Sequence, residues 1–154
     1  KLVSIEMIEA VGREYWDLYF RRCSEVLAPD GLMLLQAITV SEQEGESHAR
    51  SVDFIKRYIF PGSCLPTVAS MCEAVARVTD LRPVHLEDIT RHYVITLRRW
   101  KERFLANLDR VRALGFREEF LRLWEYYFSY CEGGFLERHS SDVQLLLAKP
   151  LARP

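Results

Sequence analysis

Two acidic side chains follow a short apolar segment at the start of the chain. Residues 2–8 are mostly apolar and predict a central parallel strand covered on both faces. Glu6 lies near the end of this strand and Glu9 just beyond it. The carboxyl end of such a strand, beside a helix entrance, is where α/β enzymes place catalytic groups. Glu9 also has a purely structural interpretation, as a carboxylate that interacts with the dipole of the helix after Gly12.

A second unusual segment is the loop Tyr58–Pro66, with the sequence Tyr-Ile-Phe-Pro-Gly-Ser-Cys-Leu-Pro. It is too aromatic and apolar for an ordinary solvent loop. Tyr93 is a further candidate and lies near the start of a predicted helix. A tyrosine at such a position is ordinarily half-buried and packs against its neighbours.

The remaining pattern predicts an α/β domain. Strand, helix and strand open the chain in the βαβ order of a parallel sheet, and two long helices separated by Gly115 precede a last strand. A polar loop is predicted at 41–50, a helix capped by Thr67 follows the aromatic loop, and Pro83 suits an edge strand. The predicted ranges are strands at 2–8, 32–38, 81–88 and 142–149, and helices at 16–26, 52–58, 68–78, 97–111 and 116–135.

Composition limits the classes of function. A net charge of −1 argues against a nucleic-acid partner, and no apolar run approaches the roughly 20 residues of a membrane span. The four cysteines lack metal-ligand spacing, so reduced thiols in a cytoplasmic protein and no metal site are expected. The chain starts directly in a strand pattern, which suggests a fragment of a longer protein.

Five segments together resemble the cyclopropane-fatty-acyl-phospholipid synthase family, which includes the mycolic acid cyclopropane synthases. They stand in the family's order along nearly the whole chain, and they are Ser4–Gly12, Tyr58–Pro66, His92–Trp100, Trp124–Phe128 and Asp142–Gln144. The resemblance implies the C-terminal half of a class I, Rossmann-like methyltransferase that uses S-adenosylmethionine. The chain would hold strands four to seven and a helical insertion that shapes a lipid channel. The domain is predicted as one partial unit, with the sheet and its helices at 2–46 and 80–149 and the insertion at 47–79.

The resemblance also implies the reaction. In this family the cis double bond of a phospholipid acyl chain attacks the cofactor's methyl carbon, and bound bicarbonate removes a proton from the resulting carbocation before the ring closes. Such chemistry needs a dry cavity. It also needs donors for an oxyanion and aromatic faces that tolerate positive charge.

Site residues follow from the same resemblance. Glu9 matches the bicarbonate-site glutamate, Ile38 the residue that offers its backbone N–H, and Tyr93 the tyrosine that reaches the anion. Gln36 departs from the family, since many members have histidine there, although an amide still carries a donor. Ile5 and Ala10 would lie near the cofactor, and the loop side chains of Tyr58, Phe60, Pro61, Cys64 and Leu65 would line the acyl channel.

The partners implied are membrane phospholipid acyl chains, contacted peripherally at the inner membrane surface. A methyl branch without ring closure, a small soluble acceptor, and a non-catalytic acyl-binding remnant remain alternatives. A bare strand edge at 2–8 further predicts that the isolated chain self-associates.

Overall fold

The computed structural model describes residues 1–153. The chain forms two compact units. The sheet unit consists of Lys1–Asp88 and Ser141–Pro154, and the helical unit consists of Ile89–Ser140. Residues 47–79, predicted as the helical insertion, are part of the sheet unit.

The sheet unit is built on four strands in the order β1-β2-β4-β3. The strands are β1 (Leu2–Ile5), β2 (Leu32–Val40), β3 (Arg82–Asp88) and β4 (Ser140–Ala148). β1 and β2 are parallel, with Ile5 opposite Gln36, and β3 and β4 are antiparallel. The parallel opening predicted from the sequence is therefore confirmed, as is the edge position of the strand that contains Pro83.

The first strand is shorter and more exposed than expected. β1 ends at Ile5, and the chain then turns at Glu6, whose φ is +51°. β1 lies at the sheet edge instead of its centre, and Val3 and Ile5 are 63% and 59% exposed. The prediction of a strand covered on both faces is wrong for this chain. The bare edge expected for the strand is present, because no strand pairs with β1 on its outer side within the described residues.

Alternation along β2 directs one set of side chains into the core. Met33, Leu35 and Ala37 are fully buried and pack with Phe20 and Met71. The helices of this unit are α1 (Trp16–Val26), α2 (Gly45–Arg50), α3 (Phe54–Tyr58) and α4 (Val68–Val78). Two short 3₁₀ helices, Ile8–Ala10 and Arg13–Tyr15, connect β1 to α1. Helices α1 and α4 thus pack on the face of the sheet to which the odd-numbered residues of β2 point.

Two features of local sequence explain how these helices begin. Thr67 caps α4 as predicted, since its hydroxyl accepts the N–H of Ser70 and the Ser70 hydroxyl accepts the N–H of Thr67. The polar segment 41–50 was predicted as a loop, but it contains α2. That helix is held by polar contacts, among them Glu46–Arg50 at 3.6 Å, so it lacks the apolar period that would have revealed it.

The helical unit consists of α5 (Thr90–Leu105), α6 (Leu108–Ala113) and α7 (Glu118–Leu136). One helix was predicted across 97–111, whereas the structure breaks it between α5 and α6. The side-chain amide of Asn107 donates to the Arg103 carbonyl at 2.7 Å, which competes with the helical backbone pattern. Gly115, with φ of +91°, makes the turn into α7.

Aromatic side chains form the interior of the helical unit. Phe128 is buried, and its ring lies 5.6 Å from those of both Phe104 and Trp124. None of the described helices combines the length and the apolar character that a bilayer crossing would require.

Candidate anion site at the end of the parallel strands

Glu9 lies in the 3₁₀ turn that follows β1, and its side chain is buried. One carboxyl oxygen, Oε1, accepts the backbone N–H of Ile38 at 2.6 Å. The other, Oε2, is buried and has no hydrogen-bond partner among the described residues. Burial raises the pKa of Glu9, partly offset by its backbone hydrogen bonds. A buried carboxyl with one open oxygen is suited to hold a proton and to bind a small polar ligand.

Ile38 lies two residues beyond Gln36 on the same face of β2. Its N–H, predicted to bind bicarbonate, already donates to Glu9. The structure therefore brings Glu9 and Ile38 together, and a ligand placed at this point would share the N–H with the carboxylate.

Gln36 is fixed at both ends of its side-chain amide. Nε2 donates to Glu6 Oε1 at 2.9 Å and to Asp142 Oδ2 at 3.0 Å, while Oε1 accepts from Gln144 Nε2 at 2.9 Å. Both amide protons are thus used within the protein. In this arrangement Gln36 holds two acids, and its predicted contact with an anion stays a prediction.

Asp142 is fully buried near the start of β4. Burial, followed by repulsion from Glu6 and Glu9, raises its pKa to about 7. The hydrogen bond from Gln36 acts in the opposite direction. Glu6, Glu9 and Asp142 are therefore one electrostatic group, which we call the acid cluster.

Sequence reasoning missed Asp142 and Gln144 as site residues, although both stood in a recognised segment. The available signal was their spacing: two polar residues at i and i+2 share one face of an otherwise apolar strand. Their contact with Gln36 joins residues more than 100 positions apart, and no local pattern reports such a pairing.

The aromatic loop is anchored beside Glu9. The N–H of Cys64 donates to the Glu9 carbonyl at 2.9 Å, and Cys64 itself is buried. Leu65 is partly buried, and its N–H donates to His48 Nε2 at 3.3 Å. The other predicted channel residues, Tyr58, Phe60 and Pro61, are exposed. The loop therefore reaches the site with its Cys64 end and presents its aromatic end outward.

Tyr93 belongs to the helical unit. Its ring stacks on Phe135 at a centroid distance of 4.8 Å and meets Trp100 edge-on at 6.3 Å. Its proposed convergence with Glu9, which belongs to the sheet unit, stays a prediction. Ile5 and Ala10, the predicted cofactor contacts, are both exposed near the end of β1.

Other places on the sheet unit offer less chemistry. An open cleft of about 740 Å³ is lined by residues other than the acid cluster, including Lys149 and Asp80, which are paired at 2.7 Å. Within residues 1–153, no group of three His, Cys, Asp or Glu side chains is arranged to hold a metal ion.

Comparison with known proteins decides the family. The model of the mycolic acid cyclopropane synthetase family matches residues 1–145. The chain belongs to this family. The chain is 40% identical over 148 residues to the tuberculostearic acid methyltransferase UfaA1 of Mycobacterium tuberculosis, covering 96% of this chain and 35% of that protein. It is 34% identical over 146 residues to the cyclopropane-fatty-acyl-phospholipid synthase of Escherichia coli K12, covering 94% and 35%.

A solved structure of the family agrees. The mycolic acid cyclopropane synthase CmaA1, in complex with SAH and CTAB, matches with a TM-score of 0.85 and 28% identity, over 96% of this chain and 54% of that chain. The expected methyltransferase fold and the family resemblance are confirmed. The chain spans about a third of the length of the two relatives in this cyclopropane synthetase family.

Proposed function

We propose that the complete gene product transfers a one-carbon unit from S-adenosylmethionine to the cis double bond of phospholipid acyl chains and forms a cyclopropane ring. The single observation that carries the proposal is the buried Glu9 carboxyl, with Oε1 on the Ile38 N–H and Oε2 open. When bound, S-adenosylmethionine supplies the methyl carbon and bicarbonate supplies the base that accepts the departing proton.

Residues of this chain fit an anion at Glu9. A protonated Glu9 can donate through Oε2, and the Ile38 N–H can be shared between the carboxyl and the anion. Tyr93 is the proposed third donor, through its hydroxyl. Ile5 and Ala10 are proposed to contact the cofactor. Burial of Glu9 supports a site from which water is excluded, as a carbocation requires.

The aromatic loop is proposed to wall the acyl channel. Its connection to the Glu9 carbonyl through Cys64 supports this role, because the wall then begins where the reacting carbon must lie. The exposed rings of Tyr58 and Phe60 supply apolar and aromatic surface to the outer part of the channel.

Peripheral membrane contact is proposed for the tip of the helical unit, on the cytoplasmic side of the inner membrane. The turn after α6 exposes Leu114 by 77% and Phe116 by 45%. Residues 98–122 contain eight basic and four acidic side chains. Of these, Arg110 and Arg117 have no ion-pair partner within the described chain. Apolar side chains among arginines that have no ion-pair partner match a surface of anionic phospholipid.

The second candidate product is a methyl branch without a ring. One observation favours it: the chain is 40% identical to a tuberculostearic acid methyltransferase.

Lipid analysis separates the two products. The complete gene product is expressed in a host that has cis-unsaturated phospholipids and no cyclopropane synthase, and the cells receive methionine deuterated at its methyl group. We expect deuterium in a new fatty acid. Loss of one proton from the carbocation gives either the ring or an isomeric methyl-branched alkene, so gas chromatography with mass spectrometry separates the two products by their elution and fragmentation. A saturated methyl branch would in addition require a hydride donor. Folded protein with an unchanged lipid profile would contradict both products.

We also propose that the isolated 154-residue chain self-associates through β1. Its outer edge is unpaired, and its Val3 and Ile5 side chains are exposed. Sedimentation velocity should show dimers or larger species whose fraction rises with concentration. A stable monomer at high concentration would be the contrary result.

A further inference from the structure

The acid cluster creates an electrostatic problem for any anion that binds at Glu9. Glu6 and Glu9 follow β1, Asp142 lies in β4, and Asp88 of β3 also acts on Asp142. All four are carboxyl groups. The neutral groups that face them are Gln36 from β2 and Gln144 from β4. Tyr19 of α1 interacts electrostatically with Glu9. The Tyr19 hydroxyl donates to the Ser4 hydroxyl at 2.6 Å.

An anion added to this cluster would be repelled by each ionised carboxyl. The repulsion is strong because Glu9 and Asp142 are 7% and 0% exposed, so water screens them little. A proton on a carboxyl removes the repulsion and turns an acceptor into a donor. The open Oε2 of Glu9, buried within the cluster, is the atom at which such a proton would meet a ligand.

Gln36 links the protonation of these acids. Its one amide nitrogen donates to Glu6 and to Asp142 at 2.9 and 3.0 Å, which holds the two carboxyls on either side of a single group. The amide itself cannot take up or release a proton near neutral pH. Any proton that the cluster gains must therefore reside on a carboxyl, and Asp142 is the most buried of the three.

We propose that Asp142 is a positioning residue that must be neutral for an anion to bind beside Glu9. The proposal rests on the anion site of the proposed function, and it adds that protonation of Asp142 controls anion binding at that site. Gln36 serves this arrangement by holding Asp142 and Glu6 in place.

The direction of the pH effect follows from the raised pKa of Asp142, about 7. Below that pH Asp142 is already neutral and adds no pH dependence to the anion affinity. Above it, each anion that binds must bring one proton, so the affinity falls about tenfold for each further pH unit.

The test measures binding to the complete gene product by calorimetry between pH 6 and 9. Bicarbonate is one probe, and nitrate is the other, because nitrate is a planar monovalent anion whose own charge is constant over this range. We expect nitrate affinity to fall about tenfold per unit above pH 7. Buffers of different ionisation enthalpy should reveal the uptake of about one proton per anion at pH 8. In Asp142→Asn the part of the fall that Asp142 causes should disappear, so the affinity should depend less on pH than in the wild type. Glu73→Gln, at an exposed carboxyl on α4, should behave as wild type.

Three results would overturn the inference. Wild-type affinity could be independent of pH, Asp142→Asn could retain the wild-type pH dependence, or binding could occur without proton uptake. The proton count needs only the wild-type protein, and a count of zero overturns the inference even where Asp142→Asn does not fold. Where a proton is taken up, its uptake by Glu9→Gln excludes Glu9 as the group that receives it. A protein that forms the lipid product without binding either anion would refute the anion site itself. A protein that binds anions with the predicted proton uptake but modifies no lipid would refute the proposed function alone.

Discussion

The sheet unit and the helical unit distribute their polar groups in opposite ways. The sheet unit buries Glu9 and Asp142 among apolar strands, where their charges are costly. The helical unit keeps its charges outside and fills its interior with aromatic rings such as Phe128. It also exposes large apolar side chains at its tip, including Leu114 and Phe116.

The difference indicates separate tasks. A buried acid with a raised pKa is a candidate for a functional site. An exposed apolar pair beside arginines is a mark of a surface that meets lipid. We propose that the acid cluster of the sheet unit acts in the chemistry and that the tip of the helical unit contacts the membrane. Changes at the acid cluster and changes at the tip should then affect different measurements.

Glu9→Gln is the change with the largest expected effect. It removes the charge and the proton-holding capacity of Glu9 while it keeps the volume, and we expect kcat to fall about 10²–10³-fold, as for loss of a preorganised polar group. Product formation in lipid vesicles by the complete gene product measures this, with Glu14→Gln, an exposed neighbour, as the matched control. Equal activity of the two variants would remove Glu9 from the site.

Asp142 predicts an unusual dependence of stability on pH. Its pKa is about 7 in the folded chain and near 3.8 when unfolded, so the folded state binds more protons between these values. The free energy of unfolding should therefore fall as pH rises from 4 to 7, by about 1.4 kcal/mol per unit from this group. Urea unfolding of wild type and Asp142→Asn at pH 5 and pH 7 measures the difference, and the variant should lack this part of the slope. The same slope in both proteins would contradict a neutral Asp142.

Changes at the tip of the helical unit should weaken membrane binding and leave folding intact. In each of Leu114→Ser and Phe116→Ser we expect partition into anionic vesicles to weaken by about 10- to 100-fold, since a side chain of this kind contributes about 1.5–3 kcal/mol when the membrane buries it. Sedimentation with phosphatidylglycerol vesicles measures this. Leu136→Ser is the control, an exposed leucine at the opposite end of α7, roughly 30 Å along the helix. An equal loss in the control would mean that the tip has no special role.

Local chemistry explains which parts of the fold were predictable. Thr67 caps α4, and Pro83 lies on an edge strand, because each depends on its own backbone hydrogen bonds. The alternation in β2 reports burial of Met33 and Leu35 directly. By contrast, α2 is held by polar contacts, and the break at Asn107 comes from a side chain that competes with the helix. Neither changes the apolar period from which helices are predicted.

The site divides in the same way. Glu9 and the aromatic loop were recognisable from short segments, and the structure joins them through the Cys64 N–H. The pairing of Gln36 with Asp142 was not, because it depends on β4 lying beside β2, a contact between distant parts of the chain. The structure shows that the Gln36 amide holds two acids, whereas its predicted contact with the ligand stays a prediction.

The central proposal is that Glu9 and Tyr93 act on the same bound anion, and a double-mutant cycle tests it most directly. The rate of lipid modification is measured for the complete gene product as wild type, Glu9→Gln, Tyr93→Phe and the double variant, over a range of bicarbonate concentrations. If both groups contact one anion, the double variant should be only slightly slower than the slower of the two single variants. The departure from additivity would then correspond to a coupling free energy of about 1–3 kcal/mol. Losses that multiply, with an unchanged dependence on bicarbonate, would show two independent residues and contradict the account.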